Sequence, residues 1–129
     1  MDDIENKVVD PIGNTRYFNQ DGKLHREGGR PAIEWRDGGK QWYKNGQLHR
    51  DGDLPAVSLL DGHKEWHVNG RLHRDGDEPA VWDEPAGWNE NSDASWWKNG
   101  QRHRGGGLPA VEWSNGLKEW WVDGKEVSE

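Results

Sequence analysis

Apolar and polar residues alternate with a period of two in short runs spread along the chain. Ala32-Ile33-Glu34-Trp35, Ala56-Val57-Ser58-Leu59 and Ala110-Val111-Glu112-Trp113 all read this way, as half-buried strands do. Each run leads into Asp37-Gly38, Asp61-Gly62 or Asn115-Gly116, pairs that supply the positive φ of a hairpin turn. A second run follows, and it is aromatic: Lys40-Gln41-Trp42-Tyr43, Lys64-Glu65-Trp66-His67, Ser95-Trp96-Trp97 and Lys118-Glu119-Trp120-Trp121. It ends in a further turn pair at Asn45-Gly46, Asn69-Gly70, Asn99-Gly100 or Asp123-Gly124. No window carries a helical period, and Gly or Pro interrupts every candidate. The pattern predicts an all-β chain of hairpins.

The hairpins are copies of one unit. Gly22-Lys23-Leu24-His25-Arg26 recurs as Gly46-Gln47-Leu48-His49-Arg50, Gly70-Arg71-Leu72-His73-Arg74 and Gly100-Gln101-Arg102-His103-Arg104. Each copy is followed by Pro-Ala, at Pro31-Ala32, Pro55-Ala56, Pro79-Ala80 and Pro109-Ala110. An aromatic residue stands four positions before each Gly: Phe18, Trp42, Trp66 and Trp96, with Trp120 opening an unfinished fifth copy. The period is 24 residues, except that six more are inserted between Gly70 and Gly100. A fixed period of this size predicts a linear array in which each unit packs on its neighbours. The expected architecture is an elongated, single-layer stack of β-hairpins forming one domain. Repeats cover 17–124, residues 1–16 are an N-terminal cap or degenerate unit, and the insertion occupies 83–93.

The order of aromatic, Gly, His, Gly-rich loop and Asp-Gly turn resembles the MORN repeat over residues 17–124. Arg26, Arg50, Arg74 and Arg104 stand where MORN units have Gly, and the Pro-Ala pairs are additional. The phrase is more similar to a divergent group found in phages, large viruses and bacteria. The MORN resemblance implies scaffolding, self-association through array ends and phospholipid contact. The divergent group suggests a small phage or viral protein that binds and inhibits a host defence protein.

Composition sharpens this picture. Aliphatics are scarce among the 129 residues, whereas there are ten Trp. Each buried aromatic removes about 150–250 Å² from water, so the first aromatic column is expected to be core. A net charge of −7 with both signs interleaved argues against nonspecific nucleic-acid binding. The absence of cysteine fits a reducing compartment. The acidic start, Met1 to Glu5, does not read as a signal peptide, and no apolar run is long enough for a transmembrane helix. A cytoplasmic protein without membrane insertion is expected.

Candidate chemistry is sparse. His63 and His67 have a helical metal spacing but fall on a turn and a strand, and no ordered ligand set accompanies them. No nucleophile motif or phosphate-binding loop is present. The expectation is a non-enzymatic protein-binding module without cofactor or metal. Its partner-binding residues would be the second aromatic column (Tyr43, His67, Trp97 and Trp121) with Trp88 from the insertion as an anchor. Open array ends make a homodimer a further expectation. The alternative is an anion site built from Arg26, Arg50, Arg74 and Arg104, taking the phosphate of a nucleotide or phosphoinositide. The opposing reading of these arginines is structural: each pairs with a nearby carboxylate or lies on a Trp face.

Overall fold

The computed structural model of the protein describes residues 6–83 and 93–128. It is all-β and has no helix among these residues. Eleven short strands form one antiparallel sheet that does not close into a barrel. Asn6–Val9 lies at one edge and Lys125–Val127 at the other.

Each repeat contributes two strands to this sheet. In the second unit they are Ile33–Glu34 and Lys40–Gln41, with Ile33 opposite Gln41 and Glu34 opposite Lys40. Lys40–Gln41 then pairs with Val57–Ser58 of the next unit, so hairpin follows hairpin without a crossover. Residues directly opposite one another share a sheet face. One face therefore carries the row Ile33, Gln41, Val57, Glu65, Val81, Ser95, Val111, Glu119. Asp83 accepts its strand partner from across the insertion: its N–H donates to the Asp93 carbonyl at 3.1 Å. Val81–Asp83 and Ala94–Ser95 thus pair with the insertion between them, and its residues 84–92 lie outside the described residues.

The two turns of a unit differ in conformation. Between the first and second strands Trp35 N–H donates to the Gly39 carbonyl and Gly38 N–H to the Trp35 carbonyl. Only the Gly takes positive φ there (Gly38, 102°), which matches a three-residue loop closed by a left-handed residue. Between the second and third strands both residues do: Asn45 has φ 50° and Gly46 φ 86°, the requirement of a type I′ turn. Asn can hold that conformation and most residues resist it. The N-terminal segment repeats the first pattern. Gly13 N–H donates to the Asp10 carbonyl, Asp10 N–H to that of Asn14, and Asn6–Val9 pairs with Thr15–Phe18.

The strand bends at Trp42, and beyond the bend Tyr43–Lys44 pairs with Gln47–Leu48 in a separate small hairpin. His67–Val68 with Arg71–Leu72, and Trp97–Lys98 with Gln101–Arg102, repeat it. These small hairpins are tied unit to unit by the Leu-His-Arg phrase. Gly46 N–H donates to the Leu24 carbonyl, Gly70 to Leu48 and Gly100 to Leu72. Asn45, Asn69 and Asn99 N–H groups donate to Nδ1 of His25, His49 and His73 at 2.9–3.0 Å. Each Nδ1 is therefore the unprotonated nitrogen, and Nε2 faces Glu27, Asp51 or Asp75 at 2.6–2.8 Å.

The core sits at the bend. Ala32, Ala56, Ala80 and Ala110 have no exposed surface, and Trp42, Trp66 and Trp96 are buried against them. Trp42, Trp66 and Trp96 N–H groups donate to the carbonyls of Ala56, Ala80 and Ala110. The first unit corrects the sequence reading. Its equivalent residue is Tyr17, whose N–H donates to Ala32 and which is 5% exposed. Phe18 instead bridges to Leu24, the relation Tyr43 has to Leu48. The turn from Asn19 to Gly22 is one residue longer than its counterparts, and that shifted the count.

Removing an indole from this column leaves a cavity that the rigid Ala-lined sheet cannot close. Trp66→Ala is expected to lower the unfolding free energy by about 3–5 kcal/mol in urea titration. Trp113→Ala, at 41% exposure, is expected to cost clearly less in the same measurement.

Candidate functional site

Two surfaces carry the residues singled out above. The first is the arginine column. Arg26 lies over Tyr17, Arg50 over Trp42, Arg74 over Trp66 and Arg104 over Trp96, each 3.6–3.9 Å from the ring centroid. In every unit Nη1 also donates to the carbonyl of the following Pro: Pro31, Pro55, Pro79 and Pro109, at 3.1–3.3 Å. The guanidinium therefore covers the core indole and fastens the loop above it, a cation–π contact combined with a charge-assisted hydrogen bond.

Carboxylates complete the arrangement unevenly. Arg74 forks onto Asp53 (Nε–Oδ1 2.9 Å, Nη2–Oδ2 3.5 Å) and Arg104 onto Asp77 (2.8 and 3.1 Å). Arg104 also reaches Glu112 at 3.1 Å, and Arg26 reaches Glu34 at 3.5 Å. The Asp77 hydrogen bond outweighs burial and raises the Arg104 pKa above its ordinary value. Burial alone acts on Arg50 and lowers it.

The second surface is the face carrying the Ile33–Val57–Val111 row. Here a groove of about 670 Å³ runs between the second and third units. Trp35, Leu48, Val57, Leu59 and Leu60 form its apolar part, and Asp37, Gln41, Asp61, His63 and Glu65 its polar part. Two members of the expected second column, Tyr43 and His67, lie beside its lining residues Leu48 and Glu65. Leu48 is the strand partner of Tyr43, and burial with the nearby Glu65 charge raises the Tyr43 hydroxyl pKa. His67 is buried and bonded through Nε2 to Glu65 at 2.7 Å.

Further along the column the rings are covered. Arg102 lies over both Trp97 and Trp121, at 5.3 and 5.1 Å. Trp97 Nε1 donates to Ser95 Oγ and Trp121 Nε1 to Glu119. The four column residues therefore do not form one open surface. Tyr43 borders the groove, His67 is enclosed beside it, and Trp97 and Trp121 clamp a guanidinium. Trp88 lies outside the described residues.

Sequence reasoning missed Trp35, Leu59 and Leu60 as groove residues and Arg102 as the clamp. Both signals were present. Trp35 and Leu59 share the strand parity of Ile33 and Val57, and Arg102 replaces the Leu of the other three phrases. It also missed a hydrogen-bonded chain unique to the third unit. Asp83 meets His63 Nδ1 at 2.5 Å, His63 Nε2 meets Glu65 at 2.7 Å, and Glu65 meets His67. His67 first, and His63 second, hold the Glu65 carboxyl down at about 2. Burial opposes the charged His63 ring, but Glu65 and Asp83 outweigh it and raise its pKa. The described residues contain no group of three or more His, Cys, Asp or Glu able to hold a metal.

No family model, no curated protein and no solved structure matches the chain.

The ionic chain at Glu65 has a pH signature. Glu65 has a folded pKa below its ordinary one, so its contribution is complete above about pH 4.5 and is lost as pH falls toward 2. His63 has a raised pKa, so its contribution is complete below about 6.5 and is lost as pH rises through its folded value. The stability difference between wild type and Glu65→Gln should therefore peak between about pH 4.5 and 6.5 and shrink on either side. Urea unfolding at pH 3, 5.5 and 9 measures it.

Proposed function

We propose that the chain is a non-enzymatic repeat module that binds a protein partner through the groove between its second and third units. The observation that carries this reading is the exposed apolar lining beside polar groups that are already paired. Leu60 is 70% exposed and lines the groove with Trp35 and Leu59. The Trp35 indole N–H is held by Gln41 at 3.1 Å, and the Glu65 oxygens are taken by His63 and His67. A partner inserting an apolar side chain would displace water from this lining without unpairing a polar group, the condition under which interface burial stabilises most.

The same face carries exposed Trp113 and Leu117, at 41% and 64%, two residues from Val111 and Glu119, so it can lengthen the contact beyond the groove. A phosphate ligand spanning all four arginines is less well supported. It would have to displace Asp53 and Asp77 from Arg74 and Arg104, giving up charge-assisted hydrogen bonds already made. The resemblance to phage, viral and bacterial repeat proteins makes a host protein the expected partner, and the exposed array edges keep a homodimer within this reading.

Leu60→Asp and Tyr43→Ala test the groove. Leu60 supports no core contact at its exposure, so circular dichroism and the unfolding midpoint of Leu60→Asp should match wild type. A partner captured from native lysate by wild type should bind Leu60→Asp and Tyr43→Ala about 30-fold more weakly, equivalent to about 2 kcal/mol. Unchanged capture by both variants would remove the groove from the interface.

A further inference from the structure

The repeat offers an internal comparison at one position. Residue 53 presents its carbonyl to the Trp66 indole N–H at 3.2 Å and its carboxylate to Arg74, which lies on that same indole. Residue 77 does the same for Trp96, at 3.3 Å, and for Arg104. In the second unit the equivalent residue is Gly29. Its carbonyl accepts the Trp42 indole N–H at 2.9 Å, and Arg50 lies on that indole. Carbonyl, indole and guanidinium therefore stand in the same relation in all three units, and Gly29 shares the left-handed backbone of Asp53, although Asp77 does not; what the second unit lacks is the carboxylate.

Nothing else in the described chain replaces it. Ser58 holds the position from which Glu34 and Glu112 reach Arg26 and Arg104. Arg50 donates through Nη1 to Pro55, and among the described residues its Nε–Nη2 edge has no acceptor. Around it is a cleft of about 280 Å³ whose lining includes Lys44, Arg26 and Arg30. Lys44 has the register of Lys98, which bridges the Arg74 and Gly76 carbonyls and adds its charge to the Arg104 hydrogen bond that chiefly lowers the Asp77 pKa. The acids in the lining are engaged: Glu27 with His25 and Asp51 with His49.

From this we infer a carboxylate-binding site in the second unit, in which a ligand carboxylate forks onto the Nε–Nη2 edge of Arg50 as Asp77 does on Arg104, with Lys44 alongside. The position is open to such a group. A Cβ built on Gly28 or Gly29 meets at most the Arg30 side chain, and none at all for Gly29. The guanidinium is fixed in place by the indole and Pro55 before the ligand arrives, so little conformational freedom is lost on binding. The planar fork matches a carboxylate bidentately. The site lies on the Trp42 stack and uses none of Trp35, Leu59 or Leu60; Tyr43 lines its cleft, so Leu60→Asp, outside that cleft, is the variant that separates it from the protein-binding groove.

Two substitutions test it in opposite directions. Gly29→Asp supplies the missing side chain in a left-handed conformation (φ 71°) that Asp53 already adopts (φ 55°), and should close the site. Asp53→Gly should open a second one at Arg74. The probes are a capped single aspartate, a capped Gly-Asp-Gly peptide and inorganic phosphate. The readout is the Arg Nε–H and Trp indole N–H resonances of the full chain.

Wild type should show saturable shifts at Arg50 and Trp42 with a dissociation constant on the order of millimolar. Gly29→Asp should weaken this at least about ten-fold, and Asp53→Gly should add equivalent shifts at Arg74 and Trp66. Tighter binding of the peptide than of the capped amino acid assigns the site to acidic protein segments, whereas equal binding assigns it to small carboxylates; either result supports it. The inference is overturned if wild type shows no saturable shift, if Gly29→Asp binds as wild type does, if Asp53→Gly gains no second site, or if phosphate binds more tightly than both carboxylate probes.

Discussion

The four full units depend on one contact, a guanidinium lying on a core ring, the Tyr17 phenol in the first and an indole in the other three. Strands mostly of two or three residues cannot hold the array alone, since each contributes few ladder hydrogen bonds. The column of Trp42, Trp66 and Trp96 on a floor of fully buried alanines supplies the apolar burial. The arginines close that column from above and carry the loop carbonyls of Pro55, Pro79 and Pro109 with them. An Arg serves here because its planar head stacks and hydrogen-bonds at once, and its weaker hydration makes partial burial tolerable. A Lys at the same position would stack less well and could not fork.

This constraint explains why the recurrent phrase is so uniform and why function has to be sought elsewhere. The His holds the next unit's turn through Nδ1, the Arg holds its own unit's core, and the Pro-Ala pair receives both the guanidinium and the strand N–H. Residues spent on the joint are not free for a ligand. Individuality appears where the joint has no say: in the Trp35, Leu59 and Leu60 lining of the groove, in the Asp83–His63–Glu65–His67 chain, in Arg102 at a Leu position, and in Gly29 at an Asp position.

Much of the architecture was legible from residue patterns. The Asn-Gly and Asp-Gly pairs marked the hairpin turns, though Asn115-Gly116 takes positive φ only at its Gly whereas Asn45, Asn69 and Asn99 take it themselves, and the alternation around Ile33, Val57 and Val111 placed the strands. The core column was read correctly for Trp42, Trp66 and Trp96 but missed Tyr17, because a one-residue longer turn makes distance from Gly22 a poor guide to register. The structural reading of the arginines matched the ring contacts and the Glu34 and Glu112 pairings, but Asp51 and Asp75 bind His49 and His73 instead, Arg74 turns to Asp53, and Arg50 has no carboxylate among the described residues. The second column was drawn as one surface, yet Tyr43, His67, Trp97 and Trp121 have three different environments, since their cover comes from residues on other strands.

Period, strand alternation and turn conformation follow from the sequence by itself, because they rest on steric preferences of a residue and its immediate neighbours. What touches what across units was decided only by the tertiary structure. Residues 29 and 50, or 53 and 74, meet because one loop is laid over the next unit's indole by hydrogen bonds from that indole. The order of residues records the Gly at 29 but not that an arginine faces it. The same holds for the groove, whose walls come from two units brought together by sheet pairing.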